Sequence, residues 1–188
     1  MAVNWIKVAE RRLERSGWLE SVAGRDDWVS VVSGFAAGMS ADPRRGVLLS
    51  GSFGCGKTMA ATALYRKEGV DHKGDCYTGV VLSCAEVDDW SGFHPGAAFN
   101  HSLGWTIFDD MGAEHAPDFG KKDAVADLVM RLHKRWIGRY GCGIAVTTNL
   151  TGEQMAARYG GRVMSRIMEM VVPVSLSGRD KRKRVTVG

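Results

Sequence analysis

No apolar run in this sequence approaches the roughly 18 residues that a membrane-spanning helix needs, so no helical membrane anchor is expected. The opening stretch, Met1-Ala2-Val3-Asn4-Trp5-Ile6-Lys7, has no apolar core followed by a small-residue cleavage site, and a cytoplasmic chain is expected. Cysteine is scarce: Cys55, Cys76, Cys84 and Cys142 form no C-x-x-C pair, and neither His94 nor His101 has a partner at metal-ligand spacing. Free thiols are therefore expected rather than disulfides or a zinc site, with Cys55 filling a small loop position. Charge is not strongly one-sided either, since a net +4 and a pI near 9.0 permit an anionic partner without demanding one. What remains is ordinary globular composition, 45% apolar and 24% charged. At 188 residues the chain suffices for one well-packed α/β domain and not for two.

Against that background Gly51-Ser52-Phe53-Gly54-Cys55-Gly56-Lys57-Thr58 stands out, because it fits G-x-x-x-x-G-K-[ST], a phosphate-binding loop. Glycines let successive backbone N–H groups turn inward on a phosphate chain, Lys57 reaches the β- and γ-phosphates, and the Thr58 hydroxyl is suited to Mg²⁺. The flanks agree with that reading. Gly46-Val47-Leu48-Leu49-Ser50 before the loop is an apolar strand, and Met59 to Lys67 after it is a helix of good helix formers. Strand, loop and helix in this order predict a nucleotide-binding site lined by Gly51, Ser52, Phe53, Gly54, Cys55, Gly56, Lys57, Thr58 and Met59.

Upstream, residues 2–15 place Trp5, Ile6, Ala9 and Leu13 on one stripe of an amphipathic helix ended near Gly17. That stripe fits packing on the domain's own core and also fits a partner-binding helix. A second helix is expected from Asp26 or Asp27 to about Ala37, with Trp28, Val31, Val32 and Phe35 inward, followed by a turn at Asp42-Pro43-Arg44-Arg45. Downstream, residues 69–75 are a polar linker and Gly79 to Cys84 a second strand. Residues 85–104 are the least legible, with only a short helix assignable near their start.

Trp105-Thr106-Ile107-Phe108-Asp109-Asp110 is an apolar strand that delivers two acids at its carboxyl end, where parallel sheets bind ligands. In isolation two such acids make a solvated turn. Beside a phosphate loop, Asp109 is expected to hold the Mg²⁺ shell and Asp110 to orient or deprotonate the attacking water. A long helix follows over 121–138, with Ala124, Leu128, Leu132 and Trp136 on one face and Gly141 ending it. Gly143 to Asn149 is then a buried strand whose terminal Asn149 is placed either to hydrogen-bond the γ-phosphate or water, or to form a turn. Thr151 to Tyr159 and Arg162 to Met170 read as two short helices, Val171-Val172-Pro173-Val174 as an edge strand, and Arg179 to Arg184 as a basic tail. The basic runs Arg131 to Arg139 and Arg179 to Arg184 suit either DNA phosphates or a solvated face.

Together, the phosphate loop, Phe108-Asp109-Asp110-Met111-Gly112-Ala113-Glu114, Thr147-Thr148-Asn149-Leu150 and Gly161-Arg162-Val163-Met164-Ser165-Arg166-Ile167, in that order, resemble the DnaC/IstB branch of AAA+ ATPases. That branch holds replicative helicase loaders of bacteria and phages and the ATP-binding helpers of certain transposons. The resemblance spans about residues 28–182. It implies an α/β P-loop NTPase core, a parallel five-stranded sheet sandwiched by helices, with a short helical and basic C-terminal extension. Residues 1–25 would be an N-terminal helix and linker, and 26–188 the ATPase domain. Residue by residue, it makes Lys57 and Thr58 Walker A, Asp109 and Asp110 Walker B, Asn149 sensor 1 and Arg166 an arginine finger, with Arg162 one helical turn earlier. A sensor 2 match over Gly178 to Arg182 favours Arg182, with Arg179 a rival. Phe53 and Cys55 depart from the smaller or prolyl loop residues common there, and the second Walker B acid is Asp rather than the commoner Glu. The implied cofactors are ATP and Mg²⁺. The implied partners are a hexameric replicative helicase, single-stranded DNA and further copies of the chain meeting at the ATP site. The alternative within the same branch is a helper ATPase that coats duplex DNA and recruits a transposase.

Overall fold

The computed structural model describes residues 3–18, 25–65, 79–86, 104–115, 123–138 and 142–178. Outside these lie Arg66 and Lys67, the linker at 69–75, residues 87–103, Lys121, Gly141 and the basic tail with Arg179 and Arg182.

Strands β1 (Gly46–Gly51), β2 (Gly79–Ser83), β3 (Gly104–Asp109), β4 (Cys142–Thr148) and β5 (Val171–Leu176) form one sheet in the order β2-β3-β4-β1-β5. Every pairing is parallel. Parallel strands need crossovers long enough to hold helices, so both faces are covered and the strands read as continuous apolar runs. Alternation splits the core in two. Val47, Leu49, Trp105, Ile107, Ala145, Val174 and Leu176 face one side, packed with α1 (Trp5–Arg15), α2 (Arg25–Ala41) and α3 (Lys57–Tyr65). Leu48, Phe108, Ile144, Val146 and Val171 face the other, packed with α4 (Ala124–Ile137) and α5 (Gly152–Met170).

The stripe of α1 resolves onto the domain's own core. Ala9 and Leu13 are fully buried and Trp5 meets the Phe35 ring edge-on at 6.3 Å. Ile6 does not belong to that stripe, being 51% exposed, because a 100° step from Trp5 carries it off the i, i+4, i+8 line. An aromatic chain continues inward from Phe35 to Tyr65 at 5.5 Å and from Tyr65 to Trp105 at 4.3 Å, tying α1, α2, α3 and β3 together.

Several boundaries differ from expectation for local reasons. Helix α2 runs to Ala41, past Ala37, because Gly38 is used for close approach rather than termination. A Cβ there would sit 2.8 Å from the Arg45 carbonyl oxygen. Helix α3 starts at Lys57 rather than Met59, so Lys57 and Thr58 are its first turn. The buried face of α4 is Val125, Leu128, Val129, Leu132 and His133, an i, i+3, i+4, i+7, i+8 set. Ala124 and Trp136, expected on that face, flank it half-buried. Strand β3 ends at Asp109, with Asp110 turned out of it at φ 52°, and Asn149 lies just beyond β4. The two expected helices after Thr151 are consecutive segments of α5, broken at Gly160, whose φ of 80° and ψ of 155° are not helical. The edge strand with its proline is β5, extended to Leu176.

At the amino edge of the sheet Trp105 lies across Gly46 and Gly143, and a Cβ on Gly46 would sit 1.8 Å from the Ile144 carbonyl oxygen. Gly46→Ala is therefore expected to destabilise by about 1–3 kcal/mol or more, since two backbones must separate. Gly152→Ala, with nothing within 4 Å of its Cβ, is expected to be neutral or to stabilise by about 0.4–1 kcal/mol. Denaturant unfolding of the two variants checks the contrast.

Candidate functional site at the carboxyl edge of the sheet

Strand β1 hands directly to the glycine loop, and Gly54 and Gly56 adopt φ of 73° and 86°, the left-handed turns that aim the loop's amides inward. Lys57 is only 5% exposed. Its ammonium donates to the Gly51 and Ser52 carbonyls at 2.9 Å each and to Asn149 Oδ1 at 2.7 Å. Among the described residues no carboxylate pairs with it. Its remaining contact is the Cys55 sulfur at 3.8 Å, and a buried cation met by uncharged partners at the positive end of α3 is an anion site in waiting.

Three other strands of the sequence pattern converge on it. Thr58 Oγ1 and Thr147 Oγ1 each donate to Asp109 Oδ1 at 2.7 Å. Asn149 bridges, accepting from Lys57 while its Nδ2 donates to Asp110 Oδ1 at 3.3 Å. Lys57, Thr58, Asp109, Asp110 and Asn149, separated by up to ninety-odd positions in sequence, thus form one connected group. Cys55 is buried beneath the loop as a free thiol, while Phe53 at the loop tip is 66% exposed and Met59 lies at the surface of the first turn of α3.

The donor set fits Mg²⁺. A carboxylate oxygen and a hydroxyl sit side by side next to a phosphate cradle, and Mg²⁺ takes few protein oxygens, completing its shell with phosphate and water. Among the described residues no group of three or more His, Cys, Asp or Glu could hold a metal unaided, so the nucleotide would be part of the coordination. The local field has the matching sign. Burial first, and then Glu114, Asp109, Asp110 and Asp123, push the Cys84 thiol well above its ordinary range, so it stays protonated.

Behind the acids a second network fixes the loop after β3. Glu114 is buried and accepts from the Gly112 amide at 2.9 Å, from Tyr159 Oη, and from Arg158 at 3.1 Å. Arg158 also reaches Asp123 at 2.5 Å, and Asp123 caps α4 through the Ala126 amide. Burial and the Glu114 bond raise the Tyr159 phenol far out of its normal range. Sequence reasoning missed Glu114, Arg158 and Tyr159 as supports. The only available signal was that Glu114 closes the acid-bearing string.

Two further contacts on the loop were also not legible. Trp18 Nε1 donates to the Gly56 carbonyl at 2.9 Å and its ring stacks on Trp28. Beyond β5, the Gly178 carbonyl accepts from Ser52 Oγ at 2.9 Å, and the Ser177 amide donates to Asp27 Oδ1 at 2.8 Å.

Arg162 and Arg166 are not brought to this loop. Arg166 lies one turn before α5 ends, and the Met168 and Val171 carbonyls accept from Arg45, just before β1. It therefore belongs to the amino edge of the sheet. With β1 six residues long, the loop of the same chain is on the order of 20 Å away. Arg166 pairs with Glu169 at 2.7 Å, and Glu169 also meets His133 Nε2 at 2.7 Å. Arg162 is exposed and has no ion pair among the described residues.

No protein-family model matches the sequence, and no curated protein matches it either. Solved structures do. The DnaC helicase loader superposes with a TM-score of 0.53 at 17% identity, covering 83% of this chain and 93% of its own. DnaI gives 0.60 at 17% identity, covering 89% and 94%. This chain has the fold of these two proteins. NtrX from Brucella abortus, in complex with ADP, superposes with a TM-score of 0.51 at 14% identity over 91% of this chain and 40% of that one. Among the described residues no helix is long and apolar enough to cross a membrane.

The Glu169 carboxyl is held below its ordinary range, chiefly by the His133 hydrogen bond and further by Arg166. A depressed carboxyl contributes stability above its unfolded value of about 4.3 and loses it as pH falls through the depressed one. The stability gap between wild type and Glu169→Gln should therefore be present at neutral pH and close in acid. Unfolding measured from neutral to acid pH tests this, and a constant gap would contradict it.

Proposed function

We propose that this chain is a Mg²⁺-dependent ATPase of the AAA+ type that acts as a helicase loader in DNA replication. The observation that carries the ATP site is the buried Lys57 ammonium, held by neutral oxygens at a helix N-terminus beside a Thr58–Asp109 oxygen pair. The loop amides from Ser52 to Thr58, with Met59 at the start of α3, bind the triphosphate. Lys57 leaves its carbonyl acceptors for the β- and γ-oxygens, a charge-assisted exchange in a low-dielectric cradle. Thr58 and Asp109 would hold Mg²⁺, which would supply positive charge beside the triphosphate. Asp110 orients or deprotonates the attacking water. Asn149, already between Lys57 and Asp110, senses the γ-phosphate.

Arg166 acts in trans. Its place at the far edge of its own sheet supports this, because a guanidinium there reaches a triphosphate only on a second copy. A finger supplied across an interface is worth about 10³–10⁵ in rate. Arg162 contacts the same neighbouring nucleotide, Arg182 serves as sensor 2, and single-stranded DNA binds the basic runs. The loader role is supported by the near-complete overlap with the DnaC helicase loader and DnaI, 93% and 94% of those chains.

Lys57→Ala is expected to lose most ATP affinity in equilibrium binding, and unchanged affinity would sink the ATP-site reading. Mixed with an Arg166→Ala protein, it should recover ATPase activity, because each variant supplies what the other lacks. Two co-assembled variants that stay inactive together would instead assign Arg166 to its Glu169 pair. The loader role predicts ATP-dependent co-purification with a hexameric replicative helicase. Capture of a transposase in its place would mark a transposition helper.

A further inference from the structure

We propose that Thr147 is the positioning residue that sets both acids of the site, fixing the rotation of Asp109 and the backbone turn that aims Asp110. The inference rests on the nucleotide site proposed above and concerns a residue to which no motif assigns a role. Thr147 is fully buried, next to last in β4 and one step past the Phe108–Val146 pair of the β3–β4 ladder. Its hydroxyl works in both directions: Oγ1 donates to Asp109 Oδ1 at 2.7 Å and accepts from the Asp110 amide at 2.9 Å. A hydroxyl has one proton, so the bond from the Asp110 amide leaves that proton for Asp109.

The consequences differ for the two acids. Asp109 Oδ1 receives two hydroxyls, from Thr58 and Thr147, which locks the carboxylate's rotation and leaves Oδ2 outside both contacts. Asp110 is the only described non-glycine residue with positive φ, 52°, a conformation that costs most L residues energy and that Asp tolerates better. In that turn its amide points back at β4, where Thr147 Oγ1 meets it. The neighbouring contacts hold the same reversal: the Met111 amide donates to the Thr147 carbonyl at 2.8 Å, and Thr148 Oγ1 donates to the Met111 carbonyl at 2.6 Å. Thr148 thus anchors the loop, whereas among the described residues it is the Thr147 hydroxyl that touches both acids.

The test compares Thr147→Ser with Thr147→Ala, which lose the same methyl and differ only in the hydroxyl, with Thr147→Val as the shape-preserving third variant. Folding is checked by thermal melting, and the readout is ATP binding with Mg²⁺ and in EDTA, alongside kcat and KM. EDTA binding should stay within about threefold of wild type in all three, since the phosphate loop is untouched. The Mg²⁺ enhancement of binding, and kcat more than KM, should fall about tenfold or more in the alanine and valine proteins, the scale of a lost bond to a charged group, and largely recover in serine. If valine fails to fold, the serine–alanine pair still decides. Serine and alanine equally impaired, or all variants with wild-type Mg²⁺ enhancement and kcat, would overturn the role of Thr147. A wild-type protein that binds no ATP in either condition would instead overturn the nucleotide site itself.

Discussion

Lys57 Nζ sits in a nearly dry position against the carbonyls of Gly51 and Ser52 and the amide oxygen of Asn149, with no carboxylate among the described residues to neutralise it. Burying an ammonium on neutral acceptors is costly, and a fold tolerates it only where each donor is met and where binding an anion recovers the penalty. The surrounding structure meets that condition. Asn149 is central, because its oxygen takes the cation while its nitrogen takes Asp110. An amide interposed in this way stops Lys57 from collapsing onto the acid as an ordinary ion pair, so both charges remain available to a ligand.

The acids depend on the same principle at the next strand. Asp109 and Asp110 leave β3 where the ladder ends, and hydroxyls of β4 replace the backbone partners the chain loses as it turns. Glu114, Tyr159 and Arg158 close the reversal from behind, in a buried network with its donors and acceptors matched. Asp109 and Asp110 are thereby held beside the loop that carries Lys57, an arrangement suited to a metal–triphosphate pair.

The N-terminal helix is part of this assembly rather than an appendage to it. Arg12 donates to the Leu64 carbonyl at the end of α3, and Trp18 to the Gly56 carbonyl just before its start, so residues 5–18 hold both ends of the loop helix. Burial of Arg12 lowers its pKa, with Tyr65 opposing, and its guanidinium lies over the Phe35 ring. The Trp18 bond reaches the phosphate loop itself, and the Arg12 bond the opposite end of α3.

The sequence by itself determined the elements and the chemistry along each of them. Continuous apolar runs marked buried parallel strands, G-x-x-x-x-G-K-T marked the loop, and polar residues at strand ends marked ligand-facing positions, all because these patterns are local. Lys57, Thr58, Asp109, Asp110 and Asn149 were legible for that reason. Only the tertiary structure decided what each side chain touches. The β3–β4 register sets the Thr147 hydroxyl against two acids, and the docking of the N-terminal segment brings Trp18 to the Gly56 carbonyl, neither of which any local pattern marks. Arg166 was marked out by resemblance as an arginine finger, and only the path of α5 shows that it lies at the edge of the sheet opposite its own loop. Partners separated by tens of residues are chosen by packing and register, which no local pattern records.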